Sequence, residues 1–246
     1  MQPSLGMLGE FIKSERENYL GEDNNRFAFA LGQVGRYERF LWIIVGRYRE
    51  SSTGFRDIQT EMTRLFTGEP GRSYVVSPEG IVLLKRQGHV ADRLHLEIET
   101  FYLFSKILLD HAARFLETYF GPVRGLSLDS HDVLTKNFEA FGARHGLCAT
   151  ANVAAMLPIL KQRIADYRDY QIAHAKSPRT MHMTIWGGDK EPRLATTRLY
   201  PTAKEAEQMK KESENVEALM RVLEQYLTLL TDLIVANRSR SKFNGA

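Results

Sequence analysis

The sequence predicts an all-α protein whose core is a four-helix bundle. Apolar residues recur at helical spacing in four long stretches, at about residues 90–119, 130–145, 147–175 and 203–237. Each stretch can bury one apolar face against the other three. Alternation of apolar and polar residues, which is typical of strands, is confined to MHMTIW and LATTRLY on either side of Gly187-Gly188. We therefore expect extra N-terminal helices beside the core and a small two-stranded β-ribbon, residues 180–200, between the third and fourth core helices.

Two helices are expected before the core. The first runs from about Arg26 to Arg49 after the polar segment GEDNN, in which Asn25 is a suitable N-cap. A shorter helix follows at about Phe55 to Phe66. The segment GEPGRSYVVSPEG then predicts a loop, in which YVV can pair as a short strand. We expect these helices to pack on the flank of the core.

The core helices differ in how clearly their ends are marked. The first has the strongest helical pattern and ends at Gly121-Pro122. Pro158 lies inside the third stretch, so it must either kink that helix or mark its true first turn. The last helix begins at Pro201-Thr202, and its apolar residues lie close to heptad spacing. This spacing suits burial within the bundle or between two protomers, so the sequence is compatible with a homodimer.

The length of the chain allows one large domain or two small ones. Because its 8 prolines and 18 glycines are spread along the chain and not clustered, we expect a single domain over residues 1–246. Within it, residues 1–85 form an N-terminal helical extension and residues 90–237 form the bundle, with the ribbon inserted at 180–200. Residues 238–246 form a basic tail that we expect to be disordered.

Composition excludes several classes of protein. The 33 Lys and Arg residues nearly balance the 30 Asp and Glu residues, and a net charge of +3 argues against a protein coated in nucleic acid while leaving room for a local basic site. A single cysteine, Cys148, cannot form an intrachain disulfide. No apolar run approaches the roughly 20 residues that cross a bilayer, and Glu10 interrupts the N-terminus before a secretory signal develops. We therefore expect a cytoplasmic protein without a membrane segment.

Ionisable residues concentrate in RIADYRDYQIAHAK, residues 163–176, at the end of a helix otherwise built of Ala, Leu, Ile and Met. Arg168 and His174 lie six residues apart, which is about 9 Å along an α-helix and about 120° around it. They therefore meet only with the help of rotamers, fraying or a second protein chain. Arginine offers a planar fork to a phosphate, and histidine exchanges protons near neutral pH. The pair is thus a candidate acid–base site for a phosphate ester.

This segment resembles the HEPN superfamily, whose hallmark is an Arg followed, after four to six residues, by a His, often with Asn or Asp directly after the Arg. Arg168, Asp169 and His174 match that pattern, and YRDYQIAH is most similar to bacterial abortive-infection members. The resemblance covers about residues 90–176; the final helix is compatible with it, and residues 1–85 are unmatched. It implies a helical bundle that usually dimerises and, in many members, a metal-independent endoribonuclease of toxin–antitoxin, abortive-infection or other phage-defence systems.

The resemblance also implies roles for individual residues. RNA would be cleaved by attack of its 2′-hydroxyl on the adjacent phosphorus, with His174 as general acid or base and Arg168 stabilising charge on the phosphoryl oxygens. Asp169 would orient one of these two groups, and no metal or cofactor would be required. The expected partners are RNA, a second copy of the chain and, in a toxin–antitoxin system, an antitoxin protein. The flanking RNA would be held by Arg163, Tyr167 and Lys176.

A structural interpretation of the same residues stays open. The spacing alone is weakly specific, since it occurs a second time in the loop GPVRGLSLDSH. Arg168 can instead belong to a local ion-pair network with Asp166 and Asp169, while His174 ends the helix, where a cation suits the helix dipole. The protein would then be a non-catalytic, HEPN-like dimeric scaffold that binds a nucleotide, RNA or a partner protein.

Two further sites are weaker candidates. Asp92, His95 and Glu99 share one face of a helix and can hold a metal or act as acid–base groups, although a solvated acidic face explains them as well. Between Arg36 and Arg49, arginines alternate with aromatic residues, a mixture that can track single-stranded RNA. Aromatic residues packed in the core with arginines in water explain the same pattern.

Overall fold

The computed structural model of the chain describes residues 24–65, 77–166, 168, 180–181, 199–200 and 216–242. Most of these residues are helical, as the sequence predicts. The α-helices, in chain order, are α1 (Asn24–Leu65), α2 (Pro78–Phe120), α3 (His131–His145), α4 (Ala151–Leu160) and α5 (Val216–Ala236). A π-helical turn, Lys161–Asp166, continues α4, and a short 3-10 helix, Arg238–Arg240, follows α5. No described helix has the length and apolar character that crossing a membrane requires.

The two predicted N-terminal helices are a single helix. α1 continues without a break through the segment SSTG, in which Ser51 and Ser52 are buried. Phe55 and Ile58 extend the buried face beyond the serines. Packing of this face along α2 keeps the segment helical, although its local preference for a turn predicted a break.

α1 belongs to the core and is not a flanking element. Leu41 and Val45 are fully buried in the same hydrophobic cluster as Leu108 of α2 and Leu223 of α5. α1 packs extensively against α2 and also contacts α5. The core of the described residues is therefore built on two helices of about 63 Å each, α1 and α2, and α3, α4 and α5 complete it.

α2 begins at Pro78, well before the predicted start at about residue 90. The Ser77 Oγ accepts a hydrogen bond from the Gly80 N–H at 3.2 Å, and Pro78 occupies the first turn, where its missing N–H costs nothing. The end of the predicted loop, SPEG, is thus the start of a helix. At the other end, Gly121 adopts a φ of 95° and ends α2, as predicted.

α3 agrees with its predicted bounds, whereas the third core helix does not. The Ser130 side chain accepts a hydrogen bond from the Val133 N–H at 3.4 Å, and Gly146 ends α3 with a left-handed φ of 62°. α4 begins at Ala151 and contains Pro158, and it gives way to the π-helical turn after Leu160. Pro158 therefore does not start the helix; it precedes a change of helix type.

Two short strands, β1 (Thr180–Met181) and β2 (Leu199–Tyr200), pair in antiparallel register, with Thr180 opposite Tyr200 and Met181 opposite Leu199. The residues between them lie outside the described residues, as does the predicted YVV strand, so the full ribbon stays a prediction. The part of the last helix predicted before Val216 also lies outside the described residues.

The basic tail follows a defined path as far as Lys242, contrary to the expectation of disorder. Asn237 is only 2% exposed, and the 3-10 helix follows it directly. The Lys242 N–H then donates a hydrogen bond to the Tyr119 carbonyl of α2 at 3.1 Å. Contacts with other elements, which the sequence of the tail does not display, hold the chain in place beyond α5.

Candidate functional site

The sequence-predicted site begins where α4 ends, and the structure describes two of its six residues. Arg163 lies on the π-helical turn, and Arg168 continues the same π-helical backbone. Both side chains are partly buried and interact with other groups of the protein. The remaining predicted residues lie outside the described residues: Tyr167, Asp169, His174 and Lys176. The pairing of Arg168 with His174 therefore stays a prediction.

The π-helical turn starts three residues after Pro158. Proline has no N–H to donate to the preceding turn, so the α-helical hydrogen-bond ladder is interrupted there. The Lys161 N–H bonds to the carbonyl oxygens of Leu157 and Pro158, and beyond it the helix closes over five residues instead of four. Each residue of a π-helix advances by a smaller angle than in an α-helix. Arg163 and Arg168 therefore project in directions that α-helical periodicity does not predict.

Five charged side chains from three elements lie together beside this turn, and we call them the charge network. Lys106 Nζ lies 2.8 Å from Asp110 Oδ1 and 3.7 Å from Asp132 Oδ2. Lys161 Nζ lies 3.5 Å from Asp132 Oδ1 and 2.5 Å from Asp166 Oδ1. Acidic and basic groups thus alternate from α2, through α3, to the π-helical turn.

The charge network fixes the turn against α2 and α3. The Lys106 side chain is only 11% exposed, so loss of a carboxylate partner leaves a poorly hydrated charge. The hydrogen bond from Lys161 to Asp166 raises the pKa of Lys161 and keeps its ammonium group charged. With three carboxylates to two ammonium groups, the network carries net negative charge on the elements that hold the turn. The charge network therefore holds in place the backbone that carries two cations, Arg163 and Arg168.

A buried histidine supports the start of the same turn. The His131 ring is fully buried, and its Nε2 lies 3.2 Å from the Leu157 carbonyl oxygen. A carbonyl oxygen only accepts, so Nε2 carries the proton of this hydrogen bond. The His131 backbone N–H donates to Asp110 Oδ1 at 2.9 Å, which links it to the charge network. Burial lowers the pKa of His131 to about 4, so the ring is neutral at pH 7.

Neither the charge network nor His131 was among the sequence-predicted site residues. Lys106 and Asp110 have the i, i+4 spacing of a helical ion pair, which the sequence does display. Asp132 and Lys161 join them only because α3 and α4 fold back on α2. His131 appeared in the sequence only as the end of a second, weaker match to the Arg–His spacing.

The acidic face of α2 does not form a metal site with other residues that the structure describes. His95 Nε2 lies 3.4 Å from Glu99 Oε1, and both side chains are partly exposed. In the ranges that the structure describes, no group of three His, Cys, Asp or Glu side chains is arranged to hold a metal ion. A helical pair on a solvated face explains these two residues, and Asp92 lies exposed on the same helix.

The aromatic residues of α1 between Arg36 and Arg49 are buried or partly buried. Tyr37 stacks on His111 of α2 with ring centroids 5.1 Å apart, and Tyr48 is buried. Among the arginines of this segment, Arg49 pairs with Glu217 of α5 through a 2.6 Å contact. These contacts favour a packing role for this segment over the binding of single-stranded RNA.

Comparison with protein-family models, with curated proteins and with solved structures yields no match for this chain. The resemblance to the HEPN superfamily therefore rests on the motif and on its helical setting.

Proposed function

We propose that the protein is a metal-independent endoribonuclease of the HEPN type that acts as a homodimer. In the proposed step, the RNA 2′-oxygen attacks the adjacent phosphorus while a base removes its proton. The bond between phosphorus and the 5′-oxygen breaks, and that oxygen takes up a proton from an acid. The products are one fragment with a 2′,3′-cyclic phosphate and one fragment with a 5′-hydroxyl.

The observation that carries this proposal is the setting of Arg168. It continues a π-helical turn that the charge network ties to α2 and α3. π-helical segments are rare in proteins, and those that occur often lie at functional sites. A guanidinium group on a fixed backbone costs little reorganisation when negative charge develops on a phosphoryl group. Such a preorganised cation can stabilise this charge in a ribonuclease that uses no metal.

Asp166 has a cationic partner other than Arg168, because Lys161 Nζ lies 2.5 Å from its Oδ1. An arginine stays charged across the physiological pH range, and its planar fork matches two oxygens of a phosphoryl group.

In this proposal His174 performs the proton transfers, because a histidine with an ordinary pKa near 6.5 both accepts and donates protons near neutral pH. Arg168 of one protomer and the partner subunit's His174 meet across the twofold axis, which overcomes their separation along one helix. Asp169 orients one of them. The flanking RNA is held by Arg163, Tyr167 and Lys176.

We assign this activity to phage defence, in a toxin–antitoxin or abortive-infection system. Cleavage of cellular RNA stops growth of an infected cell, and such an enzyme requires restraint in an uninfected one. An antitoxin protein is the partner that would supply that restraint.

The experiment that tests the proposal is RNA cleavage in EDTA by purified protein. Wild type should cleave a mixed RNA substrate, while His174→Ala and Arg168→Ala should lose at least about a hundredfold in rate, in line with the loss of an acid–base or charge-stabilising group. His89→Ala and Arg86→Ala remove exposed residues of the same types from α2 and serve as matched controls. Intact RNA with folded wild type, across several substrates, would instead favour the non-catalytic binding scaffold.

A further inference from the structure

One end of the bundle gathers the C-terminal ends of three helices. His145, in the last turn of α3, donates a hydrogen bond from Nε2 to the Gly121 carbonyl just beyond α2, at 3.0 Å. Asn237, just beyond α5, is joined to Cys148 in both directions: its Oδ1 accepts from the Cys148 N–H at 2.7 Å, and its Nδ2 donates to the Cys148 carbonyl at 2.8 Å. Three segments, residues 121–127, 142–152 and 237–242, therefore meet at this end.

These three segments are strongly basic. They contain five Arg or Lys residues and no Asp or Glu, so they carry a charge of +5 within a chain whose net charge is +3. All five side chains are exposed. We call this surface the basic end, and its residues are Arg124, Arg144, Arg238, Arg240 and Lys242.

The basic end has a fixed shape. Asn237 and Ser241 are buried, and the Ser241 hydroxyl donates to the Tyr119 carbonyl at 3.4 Å. The Arg240 guanidinium lies against Gly146, with Cζ 3.7 Å from the position that a Cβ would occupy on that glycine. Because the backbone that carries the cations is already held in place, binding a ligand here orders few additional residues.

Helix dipoles offset only a part of this charge. The C-terminal ends of α2, α3 and α5 each contribute a partial charge of about −0.5, and the N-terminal end of α4 contributes about +0.5. Together they supply about −1 against the five cations. Helix-end stabilisation therefore does not account for the charge of Arg124, Arg144 and Arg240, three exposed cations that an anionic partner can bind.

We propose that the basic end binds the phosphate backbone of single-stranded RNA. Closely spaced arginines and lysines bind successive phosphates of a strand, and this electrostatic contact dominates affinity for nucleic acids. Short polar side chains at the same end, Ser127 and Thr150, can donate further hydrogen bonds to phosphate oxygens. That the basic end docks RNA as a substrate rests on the proposed ribonuclease function. RNA binding at the basic end does not itself require cleavage.

α4 connects the basic end to the predicted catalytic residues. It begins at Ala151, next to the Asn237–Cys148 contact, and leads over about 15 Å to the π-helical turn that carries Arg163. The sequence of α4, ANVAAMLPIL, contains no charged residue. An RNA strand held at the basic end therefore meets no carboxylate of α4 on its way towards Arg168.

The proposal is tested by measuring the affinity of a short fluorescent single-stranded RNA at several salt concentrations, with all proteins carrying His174→Ala to prevent cleavage. Adding Arg144→Ala and Arg240→Ala removes two phosphate contacts. The slope of the logarithm of affinity against the logarithm of salt concentration should become shallower by about 1.4, and affinity should fall on the order of tenfold at 0.1 M salt. Lys85→Ala with Arg86→Ala, two exposed cations of α2, is the matched control and should bind as the parent does.

The charge-preserving pair Arg144→Lys and Arg240→Lys should keep the salt slope of the parent, which separates loss of charge from loss of fold. An unchanged slope in the alanine pair, or an equal loss in the Lys85 and Arg86 control, would overturn the proposal. Binding to vesicles of anionic lipid without binding to RNA would assign the surface to a membrane instead. RNA binding without cleavage by wild type would uphold the basic end and reject the ribonuclease.

Discussion

His131 Nε2 lies 3.2 Å from the Leu157 carbonyl oxygen, and this hydrogen bond joins the first turn of α3 to the last turn of α4. The same carbonyl accepts the backbone N–H of Lys161, at the point where the α-helix becomes π-helical. No described group forms a hydrogen bond with His131 Nδ1, which is buried. A second proton on this ring would therefore add a buried N–H without an acceptor.

Acidification should destabilise the protein through His131. Burial lowers the pKa of His131 to about 4 from an ordinary value of 6.5, so between these pH values the unfolded chain binds a proton that the folded chain does not. The free energy of unfolding should therefore fall as the pH is lowered from 6.5 towards 4, by about 2 kcal/mol at pH 5. Urea unfolding at pH 7 and pH 5 measures this loss.

His131→Gln is the matching variant for this measurement. Glutamine offers an N–H to the Leu157 carbonyl and does not titrate, so its loss of stability between pH 7 and pH 5 should be smaller by about the same 2 kcal/mol. Equal losses in the two proteins would show that another group causes the acid sensitivity.

Lys161→Met should impair RNA cleavage more than stability. The ammonium group joins Asp132 of α3 to Asp166 of the π-helical turn, so its loss allows the turn to shift beneath Arg168. A displacement of about 1 Å can cost a catalytic group a hundredfold in rate. We expect kcat to fall by about tenfold to a hundredfold with little change in KM. The free energy of unfolding should fall by about 1 kcal/mol at most, because the Lys161 side chain is 32% exposed.

Two variants complete the test of Lys161 as a positioning residue. Lys161→Arg keeps a cation between the two carboxylates and should recover much of kcat. Lys136→Met removes an exposed lysine of α3 and should leave kcat unchanged. A normal kcat in Lys161→Met would contradict this role.

Asn237→Ala should loosen the basic tail. Its side chain accepts a hydrogen bond from the Cys148 N–H and donates to the Cys148 and Leu233 carbonyls, each contact being 2.8 Å or shorter. Each buried hydrogen bond contributes about 1 kcal/mol, so the free energy of unfolding should fall by about 2–3 kcal/mol. Asn152→Ala, at an exposed position of α4, should change it by no more than about 0.5 kcal/mol. A loss for Asn237→Ala as small as that of the control would show that the tail is not held by this side chain.

Mixing two inactive variants tests whether the catalytic pair spans two protomers. In a heterodimer of Arg168→Ala with His174→Ala, one site carries both substitutions and the other carries neither. Unfolding and refolding the mixture should therefore restore up to about a quarter of wild-type activity, because random pairing makes half of the dimers mixed and each mixed dimer has one intact site. No recovery, despite dimers in solution, would place the two residues of each site on one chain.

Local sequence patterns predicted the helix ends that capping residues determine. The bounds of α3 follow from the cap at Ser130 and the left-handed Gly146, and Gly121 ends α2 for a related reason. The start of α2 was missed because Pro78 was interpreted as part of a loop, although proline suits the first turn of a helix. The predicted break in α1 was wrong because Ser51 and Ser52 are buried by packing that the segment itself does not display.

The candidate site was only partly predictable for a different reason. The sequence draws attention to Arg163 and Arg168 because their residue types and spacing are visible in one segment. The π-helical turn follows Pro158 and begins beside the hydrogen bond that His131 donates to Leu157, and His131 is distant from both residues in sequence. Long-range packing of this kind leaves no periodic pattern in the chain.

The most direct test of the central claim is the chemistry of the RNA ends that wild type and His174→Ala produce in EDTA. Attack by the 2′-hydroxyl predicts fragments with 2′,3′-cyclic phosphate and 5′-hydroxyl ends from wild type, and intact RNA from His174→Ala. Fragments with 3′-hydroxyl and 5′-phosphate ends, or equal cleavage by the two proteins, would contradict the assignment of Arg168 and His174 as the catalytic pair.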